Sequence, residues 1–575
     1  MEFKIRDLKD GADVTLCERA GEEGVTYVDV KLTLSEESVP GRFCIKWRRP
    51  NTDCYSTWSP SLKGDRHIAP FWQPRKTDAR LASWMPIQSV ISVSGQNRAC
   101  VSLSDAFIPT RISTGSTEDA KYPSEMEYRI DFFTVPTAPI KEYNATIRID
   151  ERDIPYYDSI YDAAEWWENE CGYKPAYVPD SAKMPMNSLW YSLHQNLNPK
   201  DILEQCRLSK PLGMDTVLID DGWQTEDSNL GYSYCGDWEL AKSKIPDMKK
   251  LVDDIHKLGM KVMLWYSVPY IGIHSKAYGR FRDMLLDGGD SGWACADPRY
   301  KEVREYLTDI YVTAVREWGL DGLKLDFIDA FELKGKSLEP DPRRDYSSLE
   351  DGTDALLRDV TDALKAINPE IMVEFRQRYI GPAIRKYGNM LRVADCPNDS
   401  MRNRLGIVDM RLTSGKTPVH SDMIMWNYNE NVESAALQFA SILYSVPQVS
   451  VLIDRLNPQH YEMLKYYLSF WRAHRDVLLD GKLTATQPES CYGTVRADLD
   501  GRSVITLYNE TIIDGIDEEA AAVNASGTDS VYVKNCAGRS YKLIDCMGHE
   551  LENGVFADKG ISEIKMPLCS IIFIK

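Results

Sequence analysis

The chain has 575 residues, and its 68 Lys and Arg residues against 87 Asp and Glu residues give a formal net charge of −19. This length exceeds one compact domain, although a single α/β barrel takes about 250 residues. The acidic balance argues against nucleic acid or an anionic membrane surface as a partner, because both would repel the chain. Most of the excess charge is interpreted as a solvated surface that keeps the protein soluble.

The chain shows no sign of export, membrane insertion or a bound cofactor. Its first ten residues lack the basic start and apolar core of a secretory signal, and no apolar run reaches the length of about 18 residues that a membrane span needs. Its thirteen cysteines are interpreted as free thiols of a reducing cytoplasm, although Cys44 with Cys54 or Cys396 with Cys536 could pair. Neither a zinc-binding spacing nor a glycine-rich phosphate loop is present, so we predict a cytoplasmic protein without a cofactor.

Three regions differ in the period of their apolar residues. Residues 1–183 contain alternating segments such as Val25–Leu34 and Tyr143–Ile149 and then a helical stretch, which predicts a β-sandwich with a helical linker. Residues 184–480 alternate short apolar runs with amphipathic stretches, as parallel βα units do. Alternation returns in residues 481–575, where a second, smaller β-sandwich is predicted.

The central region has as many strand candidates as a (β/α)8 TIM barrel has strands. The candidates are Ser188–Leu193, Thr216–Ile219, Lys261–Trp265, Gly322–Leu325, Ile371–Phe375, Leu391–Ala394, Thr417–His420 and Val449–Ile453. The clearest helices between them are Pro199–Leu212, Pro246–Leu258 and Asp297–Trp318, and Tyr379–Tyr387 leaves room only for a short one. The predicted fold class is therefore α/β, a central barrel flanked by two β-sandwiches.

Charged or aromatic residues stand at six of the predicted strand ends, where such barrels carry their catalytic groups. These ends are Asp220–Trp223, Trp265–Tyr266, Lys324–Asp326, Glu374–Arg376, Arg392–Asp395 and His420–Asp422. Carboxylates at this density repel one another and lose hydration, so a purely structural explanation must find a partner for each. Without His or Cys ligands they fit the two-carboxylate chemistry of glycoside hydrolysis, and the Trp and Tyr rings offer apolar faces to a sugar.

Three motifs follow one another along the central region: LIDDGWQ at Leu218–Gln224, KIPDMKK at Lys244–Lys250 and GLKLD at Gly322–Asp326. In this order they resemble clan D of the glycoside hydrolases, above all family 36 with its α-galactosidases and raffinose synthases. The resemblance extends from about Trp190 to Asp422, whereas the flanking β regions fit in outline only.

The resemblance implies roles for individual residues. Asp326 would be the nucleophile and Asp395 the acid/base, with Asp399 as the fallback for the second role, and Lys324 would hold Asp326 ionised. The implied mechanism is double displacement with retention, which requires carboxyl groups about 5–5.5 Å apart. It also requires Asp395 to be protonated at rest while Asp326 is ionised.

The resemblance also implies a set of substrate-binding residues. Asp220 and Asp221 would accept hydrogen bonds from the O4 and O6 hydroxyls of the sugar, while Trp223 and Trp265 would shape its pocket. The complete predicted set is Asp220, Asp221, Trp223, Trp265, Lys324, Arg376 and Arg392.

Strand five departs from the family pattern. Where family 36 α-galactosidases usually carry a Cys followed by small residues, this chain has Glu374-Phe-Arg376-Gln-Arg378. A guanidinium here would fill the space near the sugar O2, or would bind a carboxylate or sulfate bidentately. We therefore hypothesise a modified sugar or a rearranged position. The alternative is that Arg376 neutralises Glu374 or another carboxylate.

Structural interpretations stand beside the catalytic ones. Asp220–Gly222 has the composition of a turn, Lys324 and Asp326 could form a buried ion pair, and Asp395 could cap the following segment.

Histidine and tryptophan residues also have structural interpretations. His420 and Asp422 are interpreted as structural residues. Trp58, Trp72 and Trp84 are interpreted as sandwich core or edge, with a minority interpretation that one reaches an active site, its own or a neighbouring subunit's.

The predicted function is that of a retaining exo-α-glycosidase acting on terminal α-galactosides or close analogues. The first alternative is a transglycosylase that delivers the sugar to another sugar's hydroxyl, and the second is a carbohydrate-binding protein on a degenerate scaffold. A metal-dependent barrel hydrolase is a third option. The predicted partner is an oligosaccharide or glycoside, and a homo-oligomer is compatible with the sequence.

Overall fold

The computed structural model describes residues 1–118, 124–334, 338–557 and 560–575. The strands of its N-terminal region are β1 (Lys4–Arg6), β2 (Ala12–Ala20), β3 (Val25–Ser38), β4 (Phe43–Pro50), β5 (Ser56–Trp58), β6 (Arg75–Ala79), β7 (Ile87–Ile91), β8 (Asn97–Leu103), β9 (Thr110–Ser116), β10 (Glu125–Phe132) and β11 (Ile140–Asp150). They form two antiparallel sheets, ordered β1-β4-β10-β9-β6 and β2-β3-β11-β8-β7-β5.

Period-two burial along β3 explains how these sheets pack. Val28, Val30 and Leu32 are buried on one face of the strand, as alternation predicts. Helix α1 (Tyr156–Asn169) then leads from the sheets to the barrel, and the hydroxyl of Tyr156 donates to the Ala485 carbonyl at 2.8 Å. This helix thus joins the N-terminal region to the C-terminal one.

A parallel barrel occupies the centre of the chain. Its region holds β12 (Met186–Ser188), β13 (Thr216–Ile219), β14 (Lys261–Ser267), β15 (Tyr270–Gly272), β16 (Trp293–Cys295), β17 (Gly322–Asp326), β18 (Met372–Arg376), β19 (Met390–Arg392), β20 (Val419–His420) and β21 (Gln448–Val449). Strands β15 and β16 form a separate antiparallel hairpin. Among the described residues the other eight pair in parallel, and bridges from His420 to Val446 and from Ile424 to Val449 close the barrel between β20 and β21.

Helices follow the barrel strands. They are α2 (Trp190–Leu193), α3 (Pro199–Ser209), α4 (Met248–Lys257), α5 (Lys276–Arg280), α6 (Lys301–Trp318), α7 (Leu349–Ile367), α8 (Ser400–Arg411), α9 (Val432–Ala440), α10 (Pro458–Ala473) and α11 (Arg475–Asp480). Several begin with a side-chain cap, as where Asn198 accepts from the Asp201 amide. Helix α6 ends at Gly319, whose φ of 76° suits a residue without a Cβ.

Layers of side chains fill the barrel interior and decide where the polar groups lie. At the end where the strands begin, an apolar plug consists of Ala182, Met186, Leu218, Met263, Met372 and Met390. The next layer towards the carboxyl ends of the strands is charged. It consists of the third residues of β17, β18 and β19, which are Lys324, Glu374 and Arg392, and all three are buried. Because alternate residues face inwards, the carboxyl ends of the strands receive the charged layer.

The C-terminal region is antiparallel for the most part. Its strands are β22 (Lys482–Ala485), β23 (Thr494–Leu499), β24 (Arg502–Leu507), β25 (Ile512–Ile513), β26 (Glu519–Asn524), β27 (Ser530–Lys534), β28 (Ser540–Ile544), β29 (Glu550–Val555), β30 (Ile561–Lys565) and β31 (Ile571–Ile574). They form a sheet ordered β22-β23-β24-β26-β31-β28-β29 and a second one ordered β25-β27-β30.

The predicted fold class is confirmed, and most barrel strands lie within a few residues of their predicted bounds. The predicted bounds of the first and last barrel strands are wrong in part. The strand expected at Ser188–Leu193 ends at Ser188, and α2 follows from Trp190; the one expected at Val449–Ile453 ends at Val449. The chain turns there because the Ser450 hydroxyl accepts from the Tyr191 amide at 3.0 Å and holds both strand ends. The limits 1–183, 184–480 and 481–575 remain our proposal for the domains.

The thirteen cysteines are free thiols in the structure, including Cys44, Cys54, Cys396 and Cys536. Within the described ranges, no helix combines the length and the apolar character needed to cross a bilayer.

Candidate active site

Asp326 lies at the carboxyl end of β17 and is held by four donors. Its Oδ1 accepts from the Phe327 amide at 2.8 Å, from Arg376 Nε at 2.5 Å and from the Tyr379 hydroxyl at 2.9 Å. Its Oδ2 accepts from Trp265 Nε1 at 3.1 Å. One oxygen is therefore fully engaged, while the other has a single donor and remains the better placed for chemistry.

The surroundings of Asp326 keep it ionised. Burial alone would raise the pKa of Asp326, but the positive charges of Arg376, Lys324 and Arg392 outweigh it and hold that pKa well below its usual range. The residue is only 5% exposed, so water screens these charges little. An ionised carboxylate in a pocket of this kind has the form that a nucleophile needs.

Lys324 lies beside Asp326 on the same strand, but its ion pair is formed elsewhere. Its Nζ contacts Asp220 Oδ2 at 2.7 Å, and the other oxygen of Asp220 accepts from the Asp221 amide at 2.9 Å. The structural alternative of a buried ion pair between Lys324 and Asp326 is therefore wrong. The long Lys side chain crosses the barrel interior to the end of β13, and it acts on Asp326 only through space.

Asp221 is oriented by two amides. Gln195 Nε2 donates to its Oδ2 at 2.7 Å, and Gln224 Nε2 donates to its Oδ1 at 2.6 Å. Burial raises the pKa of Asp221 to about 6, although both amide hydrogen bonds lower it. The close approach of Gln195 requires Gly222, because a Cβ there would lie 2.5 Å from the Gln195 Cα, and its φ is 121°.

Trp223 does not line the sugar pocket, contrary to the prediction. It is fully buried, its Nε1 donates to the Trp265 carbonyl at 2.9 Å, and its ring packs on Trp238 and Trp318. Trp318 closes α6, so the Trp223 side chain points to the layer between the strands and the helices. The turn at Gly222 directs Trp223 outwards, whereas Trp265 faces inwards and contacts Asp326.

Arg392 joins three carboxylates behind the site. It is fully buried, and its Nη1 lies 2.9 Å from Asp395 Oδ1 and 2.5 Å from Asp422 Oδ1. Its Nε lies 3.3 Å from Glu374 Oε1, while Gln448 Nε2 donates to Glu374 Oε2 at 2.5 Å. Every carboxylate of the strand ends thus has a partner, as a dense acidic cluster requires.

Asp395 is the exposed member of that group. Its side chain is 51% exposed, whereas those of Asp422 and Glu374 are closed off from solvent. Burial raises its pKa, but Arg392, Lys324 and Arg376 outweigh it and hold the pKa of Asp395 below its ordinary value, an effect that solvent weakens at half exposure. These charges act against protonation of Asp395 at rest, which stays a prediction. Asp399, the fallback, accepts from the Arg402 amide and caps α8.

The two arginines of the fifth barrel strand, β18, and its loop have different surroundings: Arg376 closes the strand, and Arg378 lies in the loop after it. Arg376 pairs with Asp326 and stacks over the Phe327 ring at 4.9 Å, so it neutralises a carboxylate, though not Glu374. Arg378 is 58% exposed and lies 3.8 Å from Asp329. Of the two, Arg378 is the one left facing solvent.

His420 and Asp422 have structural surroundings, as interpreted from the sequence. His420 Nε2 lies 2.8 Å from the Ala182 carbonyl, and burial lowers the pKa of its ring to about 4, so it is neutral. Asp422 accepts from the Cys396 amide at 2.6 Å and from the Tyr191 hydroxyl at 3.0 Å.

Sequence reasoning missed several residues that position the site. Tyr379 and Gln195 each contact a predicted functional carboxylate, but neither stands at a strand end or in a recognisable motif. Trp84, one of the three tryptophans with a minority interpretation of reaching an active site, was not missed: its amide donates to the Arg378 carbonyl at the barrel mouth at 2.7 Å. Trp58 is buried and Trp72 is exposed. Among the described residues, no three His, Cys, Asp or Glu side chains cluster as a metal site would require.

The central part of the chain is similar in sequence to known α-galactosidases. A family model described as Melibiase matches residues 174–317. The α-galactosidase Mel36A of Lactobacillus acidophilus is 27% identical over 148 residues, which are 24% of this chain and 19% of that protein. The bifunctional α-galactosidase/sucrose kinase AgaSK of Mediterraneibacter gnavus is 26% identical over 247 residues, which are 41% of this chain and 25% of that protein. The chain thus aligns with a quarter or less of the length of these relatives.

Solved structures extend the likeness to the whole chain. The GH36 α-galactosidase AgaA of Geobacillus stearothermophilus superposes with a TM-score of 0.66 at 12% identity, covering 100% of this chain and 86% of that one. A variant of AgaA in complex with raffinose gives a TM-score of 0.67 at 13% identity, again covering 100% and 86%. At such identity the likeness shows a shared fold of barrel and flanking β regions.

Proposed function

We propose that this chain, which belongs to the GH36-like glycoside hydrolases, is a retaining exo-α-glycosidase that hydrolyses terminal α-linked galactose or a related sugar. The observation that carries the proposal is the pair of carboxylates at the barrel mouth: Asp326 is buried, ionised and held by four donors, while Asp395 is half-exposed beside it. The two carboxylates differ in exposure: the buried one is fixed by its donors, and the half-exposed one is open to a leaving group and to water.

In the first step, Asp326 Oδ2 attacks the anomeric carbon while Asp395 gives a proton to the departing oxygen. Three donors fix the other oxygen of Asp326, so the attacking oxygen is pre-aimed. Asp395 must acquire its proton when substrate excludes water from the mouth, because desolvation raises the pKa of a carboxyl group. The nearby negative charge of Asp326 raises the pKa of Asp395 in the same direction.

In the second step, Asp395 takes a proton from water, and the water oxygen displaces Asp326 from the sugar. Once Asp326 is esterified it no longer carries a charge, so it ceases to raise the pKa of Asp395. Asp395 therefore becomes the stronger acid and is ionised when a base is needed. Asp220 and Asp221, held by Lys324 and the two Gln amides, supply acceptors for the sugar hydroxyls.

A panel of aryl α-glycosides tests the proposal. We expect the α-galactoside to have the highest kcat/KM among neutral hexosides, and the galactose released first to be the α-anomer in ¹H NMR spectra. The panel includes glucoside, uronide, 2-acetamido and sulfated sugars. β-Galactose as the first product would reject the double displacement, and a preference for a modified sugar would support the alternative drawn from strand five.

Replacing Arg376 with glutamine is expected to lower kcat/KM at neutral pH by about 10²-fold, because a donor aimed at the nucleophile is lost. Arg376 lowers the pKa of both Asp326 and Asp395, so both pKa values should rise without it. The acid limb, where Asp326 takes up a proton, and the basic limb, where Asp395 loses one, should both move to higher pH. The measurement is the pH profile of kcat, which reports the groups of the complex with substrate, where Asp395 holds its proton.

Arg376→Lys is the matched control for this prediction. It keeps the positive charge and loses the guanidinium geometry, so its limbs should stay near those of the wild type while its rate is reduced. An acid limb that does not move in Arg376→Gln would mean that Arg376 does not act through Asp326.

A further inference from the structure

A cavity of about 280 Å³ adjoins Asp395 and is lined by three parts of the molecule. The N-terminal region contributes Pro60, Lys63 and Trp84, the ends of β18 and β19 contribute the segments 376–378 and 393–395, and α8 contributes Arg402, Leu405, Gly406 and Asp409. The mechanism proposed above uses two of its lining residues, Arg376 and Asp395, but gives no role to the space itself.

The cavity walls carry more positive than negative charge. Four cationic side chains line them: Lys63, Arg376, Arg378 and Arg402. The two lining carboxylates, Asp395 and Asp409, are each paired with an arginine outside the cavity wall, Arg392 and Arg66. The acids of the wall therefore do not neutralise its cations, although the chain as a whole has a net charge of −19.

Three of the four cations are available to a ligand. Arg376 is bound to Asp326, whereas Arg378 is 58% exposed and lies 3.8 Å from Asp329. Lys63 and Arg402 are exposed, and within the described part of the chain neither side chain forms an ion pair. Cationic groups in a concave wall raise the local concentration of anions and bind them by charge-assisted hydrogen bonds.

The position of the cavity assigns it to the leaving group. It includes Asp395, the proposed proton donor, but none of Asp220, Asp221, Trp265 or Lys324 from the sugar pocket. A space that adjoins the proton donor but lies outside the sugar pocket is where the departing part of a glycoside is expected. The half-buried ring of Trp84 and the side chains of Val393 and Leu405 add apolar surface for a ring or sugar face.

We propose that this cavity is a leaving-group subsite for an anion: the preferred substrate is an α-glycoside whose aglycone, or next sugar, carries a carboxylate, sulfate or phosphate group. This inference rests on the proposed function and narrows it. On this proposal the anionic group recognised near β18 belongs to the leaving group and not to the terminal sugar. Arg378, Arg402 and Lys63 bind the anion, while Arg376 stays with the nucleophile.

The test uses two isosteric substrates, 3-carboxyphenyl α-galactoside and 3-carbamoylphenyl α-galactoside. The carboxylate withdraws electrons less than the carboxamide, so leaving ability alone would favour the neutral substrate. We expect kcat/KM to be about ten- to hundred-fold higher for the carboxylate, the range of one charge-assisted hydrogen bond. A third substrate, 3-sulfonatophenyl α-galactoside, distinguishes a site for carboxylates from a site for sulfate-type anions by its kcat/KM. Equal kcat/KM for charged and neutral substrates would overturn the inference.

Variants locate the effect in the cavity. The double variant Lys63→Gln with Arg402→Gln should reduce the ratio of charged to neutral kcat/KM towards one, mainly through KM. Arg316→Gln is the matched control, because Arg316 is exposed in the last turn of α6, at the opposite end of the barrel, and it should keep the wild-type ratio. A ratio that survives in the double variant would place the selectivity elsewhere and reject the assignment.

A binding measurement separates this inference from the proposed function. Calorimetric titration of Asp326→Asn with the two substrates reports affinity without turnover. If wild type cleaves neither galactoside, the proposed hydrolysis fails, and the calorimetric preference for the carboxylate still decides the subsite. If wild type cleaves both equally and the variant binds both equally, the hydrolase assignment stands and only the anionic subsite is overturned.

Discussion

Replacing Asp326 with glycine is expected to lower kcat/KM for an aryl α-galactoside by about 10⁴-fold or more, the scale of losing a covalent nucleophile. The substitution removes the carboxylate but keeps Arg376, Tyr379 and Trp265, which now surround an empty space. Steady-state kinetics with a good leaving group, such as 4-nitrophenol, measure the loss.

Azide distinguishes loss of a nucleophile from misfolding. A small anion can enter the space vacated by the carboxylate, where the guanidinium of Arg376 favours a negative charge. We expect azide to restore turnover of Asp326→Gly and to give the β-galactosyl azide, because it attacks from the face that Asp326 occupied. The absence of both rescue and azide product in a folded variant would reject Asp326 as the nucleophile.

Asp395→Ala serves as the contrasting variant. Without the acid/base, kcat/KM should fall far more for an alkyl galactoside or raffinose than for the 4-nitrophenyl substrate, whose leaving group needs no proton. Azide should here give the α-galactosyl azide, because it attacks the glycosyl-enzyme from the Asp395 side. A β-azide from both variants would contradict the assigned roles. The same comparison made with Asp399→Ala should show only the loss of a helix cap.

Replacing Arg66 with methionine is expected to destabilise the protein by about 3–5 kcal/mol, because it leaves a buried carboxylate without its partner. Both nitrogen–oxygen contacts of Arg66 Nη2 with Asp409 are 2.6 Å, and the two side chains are 0% and 2% exposed. Asp409 also accepts from Trp58 Nε1 at 3.1 Å and from the Tyr492 hydroxyl. The cluster joins the N-terminal region, α8 and the C-terminal region.

Arg207→Met is the control for this prediction. It removes an Arg from an exposed pair with Glu204, whose side chains are 60% and 44% exposed, so no measurable change is expected. The measurement is the apparent Tm at a fixed scan rate, which should fall by several degrees for Arg66→Met. Since the cluster connects three regions, hydrogen exchange should also rise in β5 and α8. Equal Tm values for the two variants would mean that the cluster does not stabilise the junction.

The barrel was predictable because its signals are local. Thr216–Ile219 was predicted with the bounds the structure gives, and Lys261, Gly322 and Ile371 each stand within one residue of a strand start. Short buried strands between amphipathic helices leave a periodicity that survives in one sequence. The prediction of the first strand was wrong in part because Leu189–Leu193 is apolar enough for either element. The amides of Tyr191 and Ser192 donate to the Ser450 hydroxyl, over 250 residues away, a contact that no local pattern indicates.

The residues of the candidate site were predictable in the same local way, but the ion pairs between its cations and carboxylates were not. The strand ends pointed to Asp326, Asp395, Asp220 and Lys324, because each lies among the last three residues of a strand or within three residues after it. Which cation neutralises which acid depends on distances across the barrel interior, and no sequence spacing encodes these. Trp223 shows the same limit, since one glycine with positive φ turns it away from the sugar pocket.

The sequence by itself determined the acidic balance, the parallel barrel, and the carboxylates that its strand ends bring to one mouth. These follow from residue type and periodicity, which act over a few residues. Only the tertiary structure decided that Lys324 pairs with Asp220, that Arg376 holds Asp326, and that Trp84 and Lys63 from the N-terminal region meet Arg402 beside Asp395. Electrostatic partners are set by proximity in space, and the fold creates that proximity between residues far apart in the chain.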